Sequence, residues 1–283
     1  MANVGKTQSR GVEITLNSRN IITNNFFWET SLTYTKYEDR WKERTPDWKP
    51  NVYEKEKDPI RAIYARRADH IMQIGEKAPA AQPDLRPGQI VIKDLDGYVR
   101  DENGNPKVDQ NGRFMLLGHA DGTIDEADTQ LIGTQDPGWM ASMTNTFKYK
   151  GFDLNIMFNG MFDRIMQDPT EMDFGLNGGN IAQNGSNMLR IIKDRWTFDN
   201  PSTTRPSSYY TSGTKYTAGD FFYQKAWFIR LQNISLGYTL PKSILTKSKI
   251  LSNVRFHASV NNVFVITPYN GLDPETCLLY TSD

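Results

Sequence analysis

One cysteine, Cys277, and three histidines, His70, His119 and His257, are all that the 283 residues hold of the side chains most used for disulfides and structural zinc. The histidine spacing matches no zinc site or catalytic helix, and no G-x-S-x-G occurs, so no enzymatic activity is expected. Net charge is also lacking: 33 basic residues balance 33 acidic ones, which removes the electrostatic case for a nucleic-acid partner. No apolar run reaches the roughly 18 residues of a membrane-crossing helix, although a β-barrel needs none because its strands alternate. The start, "MANVGKTQSRGVEI", has no basic segment leading into an apolar one and is not read as a signal peptide. The chain is therefore expected to be either cytoplasmic or a piece of a longer protein. Cys277 stands in "CLLYTSD", residues 277–283, which resembles a translated sequencing-library adaptor. That tail is set aside as an artefact, leaving 1–276 as one domain without cysteine.

What the sequence does have is alternation. Six segments place apolar residues at every second position, the mark of a strand with two different faces. Val12, Ile14 and Leu16 oppose Glu13, Thr15 and Asn17; Phe26, Trp28, Leu32 and Tyr34 oppose Glu29, Ser31, Thr33 and Thr35. Trp139, Ala141, Met143, Phe147 and Tyr149 oppose Ser142, Thr144, Thr146 and Lys148; Phe152, Leu154, Ile156 and Phe158 oppose Asp153, Asn155 and Asn159. The fifth segment runs through Trp227, Ile229 and Leu231 and then changes parity to Ile234, Leu236 and Tyr238, which predicts a bulge near Gln232 and Asn233. The sixth sets Val254, Phe256, Ala258 and Val260 against Arg255, His257, Ser259 and Asn261. At about 10 to 13 residues, these strands are twice the usual soluble length and long enough, when tilted, to cross an outer-membrane apolar band of about 25 Å.

The connections alternate as well. Short links, "NSRNIITNN", "KYKG" and "PKSILTKSKILSN", join the strands into three pairs, whereas about 38–137 and 163–225 are excursions far beyond an ordinary loop. Short turns at one end and long loops at the other predict an all-β chain: part of a transmembrane antiparallel β-barrel with long extracellular loops. A large soluble β-sandwich is the competing architecture.

Several stretches resemble a known family. "NVGKTQSRGVEITL", "DLDG" with "DGTIDEADTQLIG", "FKYKGFDLNIMFNGMF", "DRWTFDNPSTTRP", "AWFIRLQNISLGYTLPKSIL" and "HASVNNVFVITPYNGLDPE" are similar to the C-terminal part of SusC/RagA-type TonB-linked outer-membrane proteins of Bacteroidetes. The resemblance implies about six strands of a plugged barrel of about 22 strands, the size class of outer-membrane transporters. It also implies that the plug and the TonB-contacting region lie outside this chain. The implied function is energised uptake of a glycan or peptide nutrient across the outer membrane, together with a SusD-like surface lipoprotein. Two alternatives come from other classes: a passive porin, and a soluble β-rich carbohydrate-binding or adhesion protein.

Within the first excursion, "DLDG" and "DGTIDEAD" read as the two halves of a calcium loop. Joined, they put Asp94, Asp96 and Asp121 at positions 1, 3 and 5, Gly122 at 6, the Thr123 carbonyl at 7, Asp125 at 9 and Asp128 at 12. Tyr98 to Ala120 would then be an inserted hairpin, turned at "ENGNP" and "QNG". The competing reading is that these aspartates only cap turns. The excursions also carry aromatics, Trp41, Trp48, Tyr53, Tyr64, Trp196, Tyr209, Tyr210, Tyr216, Phe221 and Tyr223, which together favour a binding surface but singly favour packing of the loops. Trp139, Tyr149 and Trp227, at strand ends, are expected in interfacial girdles, and His257 in the lumen.

Overall fold

The computed structural model describes residues 5–45, 47–168, 170–171, 185, 187–208, 219–246 and 250–275. The adaptor-like tail, 277–283, lies outside them. In chain order the strands are β1 (Lys6–Ile22), β2 (Phe26–Glu43), β3 (Ala62–Arg66), β4 (Ala68–Ile71), β5 (Ile90–Ile92), β6 (Thr129–Thr134), β7 (Trp139–Tyr149), β8 (Phe152–Phe162), β9 (Ile165–Gln167), β10 (Tyr223–Lys225), β11 (Phe228–Thr239) and β12 (Arg255–Ile266). One short helix, α1 (Lys242–Leu245), is described, in the link between β11 and β12. The chain divides into two compact units.

The first unit is built on a six-stranded sheet in the order β1-β2-β7-β8-β11-β12, in which β2–β7, β7–β8, β8–β11 and β11–β12 pair antiparallel. These are the six alternating segments, neighbouring one another in sequence order. The β7–β8 turn shows why the pairs close so tightly. Lys150 (φ 47°) and Gly151 (φ 96°) both take positive φ, as a two-residue hairpin turn of matching twist requires. A Cβ at position 151 would also fall 2.8 Å from the Thr239 carbonyl oxygen, so only glycine fits. The expected bulge is present: register shifts between Leu231 and Asn233 against both neighbours of β11, skipping Gln232. β12 answers with Asn262 at φ 52°.

Register aligns the alternating residues into rows across the sheet. On one face, Phe26, Tyr149, Phe152, Tyr238 and Phe256 form a continuous aromatic row at the turn end. Toward the other end Tyr34, Trp139, Phe162 and Trp227 form a second, with Trp139 and Phe162 stacked at 3.8 Å and 9°. Between them run Trp28, Phe147, Leu154, Leu236 and Ala258, then Ile156, Ile234 and Val260. The ten steps from Phe152 to Phe162, at about 3.3 Å each and tilted by about 40°, span about 25 Å, the height of an outer-membrane apolar band between aromatic girdles. This face is the lipid-facing side of a transmembrane barrel wall. Trp139, Tyr149 and Trp227 sit in the two aromatic rows, as read from the sequence.

Polar residues also occur on this face, and Thr30 and Asn145 are the pair at its centre. They are directly opposite in the ladder, and Thr30 Oγ1 donates to Asn145 Oδ1 at 2.7 Å. Trp28 Nε1 donates to the same oxygen at 3.1 Å, and Asn20 Nδ2 to Thr30 Oγ1 at 2.8 Å. With no water at hand, polar groups facing lipid must satisfy one another.

Because the sheet is antiparallel, β2, β7, β8 and β11 meet the long excursions at the same end. Most of both excursions gathers in the second unit, Met1–Gln8, Arg40–Gln135 and Ile165–Gln224. Its described part is stitched by three small sheets, β3 with β6, β4 with β5 and β9 with β10. A buried cluster of Ile71, Met72, Ile90, Val91, Ile92, Trp196 and Phe222 forms its core.

The two faces of β8 generate a direct test. In the complete barrel, Ile156→Arg, near the middle of the lipid-facing side, should destabilise folding by about 2 to 4 kcal/mol. Asn155→Arg, one residue away on the opposite face, should be tolerated, as read from urea-dependent folding into lipid vesicles. The reverse ranking would invert the wall.

Candidate functional site

The face opposite the aromatic rows is polar and hydrogen-bonded. Asn155 Nδ2 donates to Thr146 Oγ1 at 3.1 Å, Asn233 Nδ2 to Asn261 Oδ1 at 2.7 Å, and Arg255 pairs with Asp153 at 2.6 Å. His257 falls on this face, opposite Gly237 in the register. A polar face backing an apolar one is the lumen-facing side of an outer-membrane barrel wall. Near its loop end, the buried Arg230 binds the chain that follows β12. One guanidinium nitrogen is 2.7 Å from Asp273, another 3.1 Å from Glu275, and the group lies 5.5 Å from the Phe228 ring. Arg164 donates to the carbonyl of Pro274 at 3.1 Å, and Pro274 is fully buried. The "DPE" triplet, where the readable pattern closes, is thus a latch held by two arginines. Sequence reasoning missed it, because the two contacts bridge 43 and 110 residues.

The two acidic halves of the first excursion do come together. Asp94 accepts from the backbone N–H of Asp121 (3.2 Å) and Gly122 (2.7 Å), and Asp96 accepts from Gly118 at 2.7 Å. Gly97 permits this closure, since a Cβ there would lie 2.4 Å from the Asp121 side chain. Gly122 takes φ +86°, the conformation asked of the sixth loop position. Asp128 is fully buried, with one oxygen accepting from Leu95 and Asp96 and the other from Asp125. Asp121 caps Thr123, and Asp125 caps the turn at Ala127. The donors are the hard oxygens that suit calcium, but here they are directed at amides. Among the described residues no three acidic or imidazole groups are arranged to hold a metal ion.

The insertion between the halves is not the single hairpin expected. Two successive D-x-N-G turns, Asp101–Gly104 and Asp109–Gly112, close three short extended runs. In each turn the aspartate accepts two backbone amides: from Asn103 and Asn105, then from Asn111 and Arg113. The runs bond in a ring, Val99 N–H to Met115, Met115 N–H to Lys107 and Lys107 N–H to Val99. The eight-residue repeat of D-x-N-G, legible in the sequence, is the signal that distinguishes this from a hairpin.

The excursion aromatics are largely used in packing. Trp41 and Trp48 each lie 4.6 Å from the Arg44 guanidinium, Tyr53 packs on Tyr64 at 5.1 Å, and the Tyr64 hydroxyl donates to Asp58. Trp196 is 3% exposed and fills the space beside Gly88, while Phe221 meets Phe222 edge-on and Tyr223 is partly buried. Tyr209, Tyr210 and Tyr216 lie outside the described residues. His70 bridges Asp69 (2.8 Å) and Glu76 (2.6 Å). The hydrogen bond to Asp69 is the largest cause that raises its pKa above the ordinary 6.5, ahead of an opposing desolvation and the bond to Glu76.

This geometry agrees with comparison to known proteins. No family model matches. The TonB-dependent receptor P3 of Formosa agariphila is 25% identical over 290 residues, covering 96% of this chain and 26% of that protein. The TonB-dependent receptor SusC of Bacteroides thetaiotaomicron is 26% identical over 282 residues, covering 96% and 24%. The resemblance is to TonB-dependent receptors. A solved RagAB peptide importer in its closed-closed state superposes with a TM-score of 0.67 at 20% identity, covering 96% of this chain and 27% of that one. The sequence-based recognition of the SusC/RagA type is thereby borne out, as is the all-β barrel fold. The chain spans about a quarter of the length of the TonB-dependent receptors it matches, and these relatives are receptors rather than enzymes.

Two outcomes follow for the receptor-like chain. Replacing Arg230 with Met strips Asp273 and Glu275 of their cation; because both carboxylates are more than a third exposed, water takes over much of the loss, and the cost should be about 1 to 2 kcal/mol instead of the 3 to 5 of a fully buried pair. Denaturant unfolding in detergent measures it. His70 is raised in the folded state, so its contribution to the 69–76 turn is fully present below its unfolded pKa and lost as pH rises through the folded one. Amide exchange at Gln73 and Glu76 should accelerate across that window in the native protein beyond the intrinsic rise, and not in His70→Gln.

Proposed function

We propose that this chain is part of the barrel wall of an outer-membrane TonB-dependent importer of a nutrient, glycan or peptide. The observation that carries the reading is the wall itself: a polar, hydrogen-bonded inner face backing a 25 Å apolar band edged by two aromatic rows. The similarity to TonB-dependent receptors over nearly the whole chain supports energised uptake. A SusD-like lipoprotein at the extracellular loops and the TonB complex, engaged through a region outside this chain, are the partners this reading implies. The RagAB likeness, to a peptide importer, favours a peptide cargo.

The test is uptake of labelled oligopeptides and oligosaccharides by cells carrying the complete receptor, with and without TonB. Loss of uptake without TonB is the expected result. Uptake that continues unchanged without TonB would instead make the protein a passive porin, and a complete product that stays soluble and monomeric without detergent would make it a binding or adhesion protein.

Calcium in the first excursion is a second proposal, with ligands Asp94, Asp96, Asp121, Asp125, Asp128 and the Thr123 carbonyl. It is supported by the closure of the two halves and by the positive φ of Gly122. Binding would require the carboxylates to exchange amide bonds for the cation. Calcium titration of the complete receptor by calorimetry should show a site weakened in both Asp96→Ala and Asp125→Ala. Unchanged affinity in both rejects it, leaving the aspartates as turn caps.

A further inference from the structure

A cavity of about 290 Å³ opens within the excursion unit, at the small end of ligand pockets, which run from about 300 to 1,000 Å³. Its floor is aliphatic: Ile90 and Ile92 of β5, with Leu85 and Ile124. The isoleucines of β5 are held there from two sides. β4 pairs with one edge of the strand, and on the other the Gln82 side chain accepts the Ile92 N–H at 2.9 Å, standing in for a further strand. The floor is therefore pre-formed and does not depend on a ligand to order it.

The polar side chains of the lining are Arg66, Gln82, Asp84 and Gln89, and the cation among them is Arg66, the last residue of β3. Its Nε donates to the Asp125 carbonyl at 3.0 Å, which fixes the plane of the guanidinium. Nη1 and Nη2 have no acceptor among the described residues. A half-buried guanidinium, tethered through Nε with its terminal nitrogens unspent, is a ready receptor for a carboxylate. The exposed Asp84 is the one acidic side chain among the described residues of the lining.

A glycan does not match this lining. Among the described residues no aromatic ring lines the cavity for a sugar face to stack on, and the isoleucine floor would leave ring hydroxyls over it without partners. An aliphatic side chain beside a carboxylate matches both halves, burying its methyl groups on the floor while the acid meets Arg66.

We propose that this cavity binds the C-terminal end of a peptide, with an aliphatic last residue and its free carboxylate at Arg66. The proposal rests on the importer reading and names its cargo as peptide. The cavity then acts as a recognition point in the loops, separate from the polar wall of the lumen.

The experiment is isothermal calorimetry on the complete receptor in detergent with four probes: Ala-Ala-Leu as the free acid, its C-terminal amide, 4-methylpentanoate and maltotriose. The free acid should bind about tenfold or more tighter than the amide, the worth of a charge-assisted hydrogen-bond pair. Arg66→Met should erase the acid-to-amide difference, and Arg66→Lys, which keeps a point charge, should restore part of it. Equal affinity for acid and amide in the native receptor overturns the proposal, with no variant needed. So does a preference that survives Arg66→Met, or maltotriose competing with the peptide. If 4-methylpentanoate binds as tightly as the tripeptide, the ligand is a short free acid and the peptide assignment falls. Uptake separates the two readings: acid-selective binding without TonB-dependent uptake removes the importer and keeps the pocket, whereas peptide uptake without acid selectivity removes the pocket alone.

Discussion

The antiparallel main-chain ladder is the constraint on which the rest depends. In a hydrocarbon layer no water is present to satisfy a backbone amide or carbonyl, so every such group must find a neighbouring strand. That requirement makes long, uninterrupted strands obligatory, and with them a strict side-chain period of two. A slip of one residue would send every apolar side chain of a strand to the lumen and every polar one to lipid. The bulge at Gln232 absorbs such a change of parity within β11 without losing the ladder on either side.

Once register is set, the two faces acquire their functions by default. Apolar positions align into a lipid-facing band, and aromatic ones align into rows at its borders, where rings with one apolar and one polar aspect are most stable. The polar positions of the same strands line the lumen. Thr30 and Asn145 show how the rule bends: polar groups on the outer face are tolerated because ladder pairing places them opposite each other. Among the described residues β1 and β12 are the edges of the sheet, and an edge in lipid demands a pairing strand. This is the physical sense in which six strands form a wall and not a barrel.

The excursions obey different physics. Surrounded by water, their backbone need not be paired throughout, and they use carboxylates instead of strands to satisfy amides. Asp94, Asp96, Asp101, Asp109, Asp121, Asp125 and Asp128 each accept main-chain N–H groups. The same oxygens would serve a calcium ion, so turn capping and metal binding compete for one set of lone pairs. Aromatic residues face a comparable choice between packing the loops and meeting a partner, and Trp41, Trp48, Tyr53, Tyr64 and Trp196 are used for packing.

The sequence by itself determined the six strands, their pairing in order, the bulge in β11 and the girdle positions of Trp139, Tyr149 and Trp227. All of these follow from period-two alternation and short turns, which are local signals. It also determined that the two acidic halves of the first excursion would meet, because turn residues flank both of them. The tertiary structure alone decided where those carboxylates point, that two D-x-N-G turns close a ring in place of one hairpin, and that Arg230 reaches Asp273 and Glu275. It alone placed Arg66 beside an isoleucine floor drawn from another strand. Each of these is a contact between residues distant in the chain, set by how the chain returns upon itself; alternation within a strand carries no record of it.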